Sequence, residues 1–572
     1  MKQTPIRREF LMTREEGTQW HEFKAQQGPL YPGYPGYDIY LNWLKDRLAG
    51  YGCVDFREHH WPHNTYMVDD FPQRKPGTMT LTVDGRDIPV AATVQLSQPT
   101  GPDGLTCQMV YYDVTKGEPE EGAFEGKIVV MEEPPMPSKP FDSKFLESYV
   151  ITDTNYRSDP VPPAPMFEIP DPEKNNSWAT RWAFSHWMFD LVPWASKGKA
   201  RGMIIASSLT WGCLDGMYDR QKIHGITTLI VDRTRKEEVI AAARSGKEAT
   251  MYLEAKFFDA DSWNFICYLP GVHYGTDADE QISINIHMDA MSLTQDNGSL
   301  GLLGVVRYFS CLPQDQRPKT LLLCIDSRHF IEGFESGNLQ HDPYVVWPEI
   351  RKPVTACLGL EHMGEMEGAL DYKTNGMVLT GDPEFSFMVS DDNDYCAHLL
   401  IRSAIDSGLE RADIKIDGRP GLHGAYKGLV RAVQAKTHKL GVCVMGEAGN
   451  WCGAHTQKYS GMKYFGEKKF ADEVALWTQV VAGLMETDHR IYDIAWSKLN
   501  TAIRTAAKEG AISDTAKEGL LMGVASLFRD AEDGDFAVAA WRLEHEIVSA
   551  ASDLGQSAIA DAARAAAEML GK

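Results

Sequence analysis

The feature that most constrains the fold is a regular alternation of apolar strands and amphipathic helices that begins near residue 260. Isoleucines at positions 282, 284 and 286 alternate with polar residues, which is the period of a β-strand. Strands alternating with helical segments are typical of a doubly wound α/β sheet. The predicted elements are strands at 282–286, 320–325, 354–360 and 441–445 and helices at 298–309, after 333, and near 393–407.

The rest of the chain divides around this alternation. With 572 residues, the chain is too long for one hydrophobic core, so several domains are expected. We predict that residues 1–77 form the N-terminal part of a catalytic domain that continues at 257–490, and that 78–256 form an inserted accessory domain. Residues 491–572 contain Ala-rich helices at 536–550 and 556–570, which predict a C-terminal helical region and a homodimer formed through it.

Composition excludes several classes of partner. Lys and Arg number 57 against 80 Asp and Glu, and the net charge of −23 argues against binding to nucleic acid. No apolar run has the 18 residues of a membrane span, and no hydrophobic region follows Arg7-Arg8, so neither a membrane segment nor an export signal is expected. Ten scattered cysteines without a Cys-x-x-Cys pair indicate reduced thiols in a cytoplasmic protein.

One predicted strand is followed directly by residues with side chains that can bind a metal ion or transfer protons. His287-Met288-Asp289 ends the strand at 282–286, and Gln295-Asp296-Asn297-Gly298-Ser299 follows. Ligands of open α/β sheets gather at the carboxyl ends of strands, and imidazole with carboxylate suits a zinc ion. The alternative is structural, because Asp296, Asn297 and Ser299 are also typical of a capped helix start. These residues alone leave both interpretations open.

Later strand ends favour the metal interpretation. A lone histidine in a loop is usually an ordinary surface or hydrogen-bonded residue, but several imidazoles after successive strands of one sheet indicate a shared centre. These positions are Arg328 and His329 after the strand at 320–325, Glu361 and His362 after the strand at 354–360, and His423 and His455 in two later Gly-rich loops.

The order of these motifs resembles that of the di-zinc aminopeptidase and glutamate-carboxypeptidase-like metallopeptidases. That family carries His-x-Asp at a strand end and then Asp-Asn-Gly-Ser-Gly, matched here by His287-Met288-Asp289 and Asp296-Asn297-Gly298-Ser299-Leu300. The resemblance implies that His287 binds one metal and that Asp296 bridges two. It also implies that Asp289 does not bind the metal itself but orients the residues that do. It covers residues from about 30 to 480.

The later motifs of the family are matched more loosely. The resemblance implies that Glu361, in Glu-His-Met-Gly where the family has Asp-Met-x-Gly, is an acidic ligand, and that His423 is the last ligand. His455-Thr456 resembles a Tyr-His-Thr that lines the substrate pocket. Residues 197–255, with Gly126-Lys127-Ile128-Val129 before them, resemble the protease-associated domain that some members carry. The implied fold is therefore a mixed-sheet α/β metallopeptidase-like domain with an inserted β-rich domain.

One departure from the family pattern concerns the catalytic base. Family members carry a Glu-Glu pair, one as general base and one as metal ligand, where this chain reads Arg328-His329-Phe330. Phenylalanine cannot coordinate a cation, whereas His329 can move protons or bind metal. Glu332 supplies the lost carboxylate if the loop is shifted. The outcomes left open are a one-metal hydrolase, a two-metal site with His329 or His362 as substitute ligand, and chemistry other than peptide hydrolysis.

We therefore expect a metal-dependent hydrolase that acts on an amide bond of a small peptide or an acylated amino acid, with one or two divalent ions, preferably zinc. A metal-dependent lyase or other carbonyl enzyme and a catalytically inactive binding protein are the alternatives. The expected metal ligands are His287, Asp296, Glu361 and His423, the expected catalytic residues are Asp289, His329 and Glu332, and the expected substrate contacts or alternative ligands are Arg328, His362 and His455.

Overall fold

The structure is a computed structural model of the chain. The residues that it describes are 5–68, 77–135, 148–151, 183–184, 186–215, 218–219, 224–289, 293–294, 297–327, 354–384, 386–391, 394–410, 412–417, 447–448, 461–488, 498–532 and 535–571.

Strands occupy both halves of the described chain. In chain order they are β1 Val54–Val68, β2 Met79–Val83, β3 Arg86–Ile88, β4 Ala92–Val94, β5 Leu105–Tyr111, β6 Ile128–Met131, β7 Ser148–Ile151, β8 Gly202–Ala206, β9 Tyr218–Asp219, β10 Thr227–Val231, β11 Glu248–Leu253, β12 Ala255–Leu269, β13 Gln281–His287, β14 Thr320–Asp326, β15 Val354–Gly359, β16 Met366–Asp371, β17 Gly376–Pro383, β18 Ser386–Asp391, β19 Ala412–Asp417 and β20 Glu447–Ala448.

Helices precede, separate and follow these strands. The α-helices are Arg14–Gln27, Pro35–Gly50, Val192–Lys197, Trp211–Leu214, Lys236–Arg244, Gly298–Ser310, Asp394–Ser407, Glu467–Glu486, Lys498–Lys508, Asp514–Glu532, Phe536–Arg542, Val548–Asp553 and Ser557–Leu570. Short π-helical segments at Trp187–Leu191 and Leu543–Ile547 continue into α-helices, and single 3₁₀ turns lie at Arg8–Phe10, Val114–Lys116, Gln314–Gln316 and Gly461–Tyr464.

The sheet that positions the candidate site is mixed. Its strand order is β1-β12-β14-β13-β15, in which β13 pairs in parallel with both β14 and β15 while β1 and β12 form an antiparallel ribbon. Strand β13 is buried along its whole length, as expected for a central parallel strand. The parallel strands therefore bring the residues that follow β13, β14 and β15 to one edge.

A second sheet is built from residues between β2 and β11. Its order is β3-β2-β11-β5-β6-β8-β10-β4-β9. Two apolar clusters cover its two faces: Ile128 and Val130 of β6 lie in one, and Val129 and Met131 lie in the other. This alternation follows from the two-residue period of a strand. The second sheet thus has hydrophobic packing of its own, while the boundaries 78 and 256 of an inserted domain stay a prediction.

The mixed α/β fold class expected from the sequence is confirmed. Strands predicted at 282–286, 320–325 and 354–360 are β13, β14 and β15, and the predicted helices at 298–309 and 393–407 are Gly298–Ser310 and Asp394–Ser407. The predicted helix after 333 and the strand at 441–445 lie outside the described residues.

The Ala-rich C-terminal helices are also confirmed. Ala563 and Ala566 of helix Ser557–Leu570 lie in the same hydrophobic cluster as the first sheet. Small alanine side chains allow such helices to approach each other closely. None of the described helices has the length and apolarity needed to cross a membrane. Cys53, Cys107, Cys267, Cys311 and Cys357 are free thiols.

Candidate metal centre

Two of the predicted metal ligands meet at the carboxyl edge of the first sheet. His287 is the last residue of β13, and Glu361 follows β15, which pairs in parallel with β13. The Nε2 atom of His287 lies 2.8 Å from Oε1 of Glu361, although 74 positions separate them in the chain. Both residues are buried, with 1% and 2% of their surface exposed. The strand register therefore brings an imidazole and a carboxylate together away from bulk water.

Asp289 flanks His287 on the other side of its ring. Oδ1 of Asp289 lies 3.6 Å from Nδ1 of His287, and Asp289 is fully buried. Burial opposes protonation of His287, but the Glu361 and Asp289 carboxylates outweigh it and raise the pKa of His287 to about 10. The pair of carboxylates thus creates a site with strong affinity for positive charge.

Glu361 receives two imidazoles. His362 Nε2 and His287 Nε2 each lie 2.8 Å from the same atom, Oε1 of Glu361. Burial opposes ionisation of Glu361, but His362 and His287 outweigh it and hold the pKa of this carboxyl well below its usual range. His362 adopts the left-handed backbone region at φ 53°, which non-glycine residues rarely adopt. The loop is therefore held in a conformation that its sequence alone does not favour.

The donor atoms of this cluster fit a zinc ion. Imidazole nitrogen and carboxylate oxygen are common zinc ligands, and Oε2 of Glu361 is buried without accepting a hydrogen bond from any described residue. Within the described part of the chain, no three His, Cys, Asp or Glu side chains are arranged to hold a metal ion. The other two predicted ligands, Asp296 and His423, lie outside the described residues, so the four-residue ligand set stays a prediction.

Asn297 joins the start of helix Gly298–Ser310 to the loop that carries Glu361. Its Nδ2 donates to the carbonyl of Met363 at 2.5 Å, and its Oδ1 accepts from the amide of Met363 at 2.8 Å. Asn297 precedes helix Gly298–Ser310 but makes no side-chain capping bond to it, and Ser299 bonds Tyr40 instead. Asn297 is thus the N-cap residue by position, and its carbonyl accepts from the amide of Gly301, but its side chain and that of Ser299 bond to distant segments instead of capping the helix. Asp296, the other residue of the capping interpretation, lies outside the described residues.

His21 supports Asn297 from the N-terminal helix. Burial lowers the pKa of His21 to about 3, so its ring is neutral. Nδ1 lies 2.7 Å from the carbonyl of Gly17, which only accepts, so Nδ1 carries the proton. Nε2 must then accept from Asn297 Nδ2, 3.0 Å away. Sequence reasoning missed His21, since nothing in the helix Arg14–Gln27 marks it as a neighbour of residues near 297.

The two loops also approach each other closely through their backbones. A Cβ atom at position 298 would lie 1.9 Å from the carbonyl oxygen of Leu360, and a Cβ at position 301 would lie 2.2 Å from the sulfur of Met363. Glycine is therefore required at 298 by contact with the Glu361 loop, and Gly301 allows the Met363 side chain to pack against the helix. This contact could have been suspected from the glycines in the helical stretch at 298–304.

Five further predicted site residues lie outside the part of the chain that the structure describes. They are Arg328, His329, Glu332, His423 and His455. The last residues described before Arg328 are Asp326, whose Oδ1 accepts from Nδ2 of Asn264 at 3.0 Å, and the buried Ser327. The roles assigned to the five residues outside therefore stay predictions.

The arrangement of the strands and helices matches solved peptidase structures. An aminopeptidase from Aneurinibacillus sp. strain AM-1 aligns with a TM-score of 0.50 and 14% identity, over 82% of this chain and 93% of that chain. A peptidase M28 precursor from Shewanella amazonensis SB2B aligns with a TM-score of 0.52 and 12% identity, over 82% and 96%. The chain has the M28 aminopeptidase fold. The resemblance in the motifs is confirmed at the level of the fold.

Other comparisons are weaker. BSAP, a zinc aminopeptidase from Bacillus subtilis, aligns over 83% of this chain and 95% of that chain, with 12% identity and a TM-score of 0.46. No protein-family model and no curated protein matches the sequence. The aminopeptidase fold is thus recognisable from the structure at a level of identity where function does not follow from fold.

Proposed function

We propose that this protein is a metal-dependent hydrolase that cleaves an amide bond in a small peptide or an acylated amino acid. The observation that carries this proposal is the buried contact between His287 Nε2 and Glu361 Oε1 at the carboxyl edge of the sheet, with Glu361 Oε2 free of described donors. Such an edge is where ligands of α/β sheets gather. The aminopeptidase fold supports the same reaction class.

The residues proposed to hold zinc are His287 and Glu361, together with Asp296 and His423 by the family resemblance. When bound, a zinc ion polarises a carbonyl group and makes water ionise near neutral pH. The Asp289 carboxylate lies 3.6 Å from Nδ1 of the His287 ring, and Nε2 on the opposite side of the ring lies 2.8 Å from Glu361. We propose that Asp289 helps to orient the His287 ring. Whether one or two ions are bound depends on residues 328–332, where the family's second carboxylate is replaced.

Proton transfer is assigned to the variant segment. We propose that His329 or Glu332 takes a proton from the attacking water and returns it to the leaving amine. Arg328, His362 and His455 are proposed as substrate contacts or alternative ligands. Nε2 of His362 lies 2.8 Å from Oε1 of Glu361. This ion pair must therefore separate before Nε2 of His362 can contact a substrate.

Metal analysis of the purified protein tests the proposal. We expect about one or two equivalents of zinc in the wild-type protein and a clear loss in His287→Gln, because structural and catalytic sites lose affinity when a ligand is removed. Less than about half an equivalent, unchanged by His287→Gln, contradicts the proposal. Asn42→Ala, an exposed change on helix Pro35–Gly50, is the control for handling losses.

A second candidate is a metal-dependent enzyme with other carbonyl chemistry, such as a lyase. The replacement of Glu-Glu by His329-Phe330 favours it, because the usual base and one usual ligand are both absent from that position. A panel of aminoacyl amides, short peptides and N-acyl amino acids, compared with non-peptide carbonyl compounds, separates the two. Zinc-dependent turnover confined to the amides supports hydrolysis; turnover confined to the other compounds overturns it.

Two further expectations concern location and assembly. We propose a cytoplasmic location, because the ten cysteines are scattered along the sequence without a Cys-x-x-Cys pair. We also propose a homodimer through the C-terminal helices, where Met522 and Trp541 are 73% and 56% exposed. Sedimentation of the wild type and of Met522→Lys/Trp541→Lys tests the dimer: the wild type should sediment as a dimer and the double variant as a monomer. A wild-type monomer contradicts it.

A further inference from the structure

A buried carboxylate on helix Glu467–Glu486 contacts the loop that carries Glu361. Glu473 is 2% exposed, and its Oε2 accepts a hydrogen bond from the amide of Gly364 at 2.6 Å. Its Oε1 accepts from Nζ of Lys469 at 2.8 Å and from the hydroxyl of Ser386. Lys469 is itself 5% exposed. The loop therefore ends on a fully buried ion pair.

Packing alone does not account for this ion pair. Moving two charges out of water is costly, and replacing a buried ion pair by apolar residues of similar volume is often neutral or stabilising. An apolar pair would hold the helix against the sheet but would leave the Gly364 amide without an acceptor. The contribution that an apolar residue could not make is therefore the hydrogen bond from the Gly364 amide to the Glu473 carboxylate. Lys469 neutralises the negative charge of that buried carboxylate.

The loop turns where Glu473 contacts it. Gly364 adopts φ +74°, and a Cβ there would lie 2.7 Å from Cβ of Phe470 on the same helix. The carbonyl of Gly364 accepts from the amide of Gly466 at 2.7 Å, just before the helix begins. Both backbone polar groups of Gly364 are thus bonded to one rigid element, which determines where the loop reverses.

Two side chains from different parts of the chain bond neighbouring backbone groups in the loop between Glu361 and β16. Asn297 bonds the amide and carbonyl of Met363, and Glu473 bonds the next amide, that of Gly364. Glu361 lies two residues before Met363, so the bonds that hold the backbone of Met363 and Gly364 also limit where the backbone of Glu361 can lie relative to His287. We infer that Glu473 is a positioning residue for the metal centre, acting through Gly364 on Glu361; this inference rests on the proposed function.

The test separates the hydrogen bond from the packing. In Lys469→Met/Glu473→Leu, the charges are removed together and the volume is kept, but the acceptor for Gly364 is lost. In Lys469→Met/Glu473→Gln, the side-chain amide oxygen still accepts from Gly364. Glu467→Gln, at an exposed position of the same helix, is the matched control. Zinc affinity is measured by chelator competition on the full chain, and folding is checked by thermal unfolding of the metal-free protein.

We expect Lys469→Met/Glu473→Leu to fold and to bind zinc about 10–100-fold more weakly. A loss of this size is usual when a residue that orients a metal ligand is removed. The Gln variant should recover most of the affinity, and Glu467→Gln should equal the wild type. A folded Leu variant with wild-type zinc affinity overturns the positioning role while leaving the proposed function intact. A wild-type protein without zinc overturns both. If the Leu variant does not fold, Glu473→Asp is used, because its shorter side chain keeps a charge beside Lys469 and withdraws the acceptor from the Gly364 amide. Glu473→Asp must then weaken zinc binding, and unchanged affinity overturns the inference.

Discussion

The side-chain amide of Asn297 is bonded to both backbone polar groups of Met363, 66 residues further along the chain. A primary amide matches the donor and acceptor of a peptide unit, so this pair resembles one rung of a β-ladder formed by a side chain. The pair joins the loop that contains Asp296 to the loop that contains Glu361. The start of helix Gly298–Ser310 and the loop that carries Glu361 are therefore held together by this one side chain.

Replacing Asn297 by Ala should destabilise the fold by about 2–4 kcal/mol, because two buried backbone groups of Met363 lose their partners. The free energy of unfolding in urea measures the loss. Asn42→Ala removes an amide whose Nδ2 bonds only the Asp38 carbonyl at the surface, and should change stability by less than about 0.5 kcal/mol. Equal effects of the two substitutions would show that the Met363 contact contributes little.

Gly298→Ala should be destabilising by more than about 2 kcal/mol, because the added Cβ meets the Leu360 carbonyl oxygen at 1.9 Å and a backbone group must shift. Gly519→Ala is the matched control. Gly519 is exposed in helix Asp514–Glu532 and a Cβ there meets nothing within 4 Å, so alanine should stabilise by about 0.5–1 kcal/mol. Thermal unfolding of both variants checks the opposite signs; the same sign for both contradicts the contact.

The buried His21 should make stability fall in acid. Its folded pKa of about 3 lies below the unfolded value near ~6.5, so only the unfolded chain takes up this proton between these pH values. Stability from this group is complete above pH ~6.5 and declines as the pH falls towards 3. Between pH ~8 and ~5 the wild type should lose about 2 kcal/mol that His21→Gln does not lose. Parallel pH curves for the two proteins, from urea unfolding, would contradict this.

Glu361→Gln should lower zinc affinity by at least ~100-fold, since it removes a proposed charged ligand. Glu367→Gln is the matched control: Glu367 is also buried, but it accepts from the Thr380 hydroxyl at 2.8 Å in the neighbouring hairpin. Its substitution should leave zinc affinity unchanged. Chelator competition measures both, and comparable losses in the two variants would indicate a general effect of removing a buried carboxylate.

Much of the first sheet could be predicted because its signal is local. The strand at 282–286 differs from β13 by one residue at each end, and the helix at 298–309 by one residue at its end. The same locality limits what can be said of Asn297: a polar residue before a helix has the local pattern of a side-chain cap, and that pattern does not show which groups its side chain bonds. Its actual partners, His21 and Met363, are distant in the chain, and no local period encodes them.

The sequence by itself determined the succession of strands and helices and placed His287 and Glu361 at strand ends, because side-chain periodicity and the polarity of strand ends are local properties. Only the tertiary structure decided that the imidazole and the carboxylate meet at 2.8 Å, and that Asn297 and Glu473 hold the Glu361 loop between them. Strand register and hydrogen-bond partners depend on how distant segments pack together. That packing is selected by the burial and hydrogen bonding of the whole chain, so it cannot be read from any one segment.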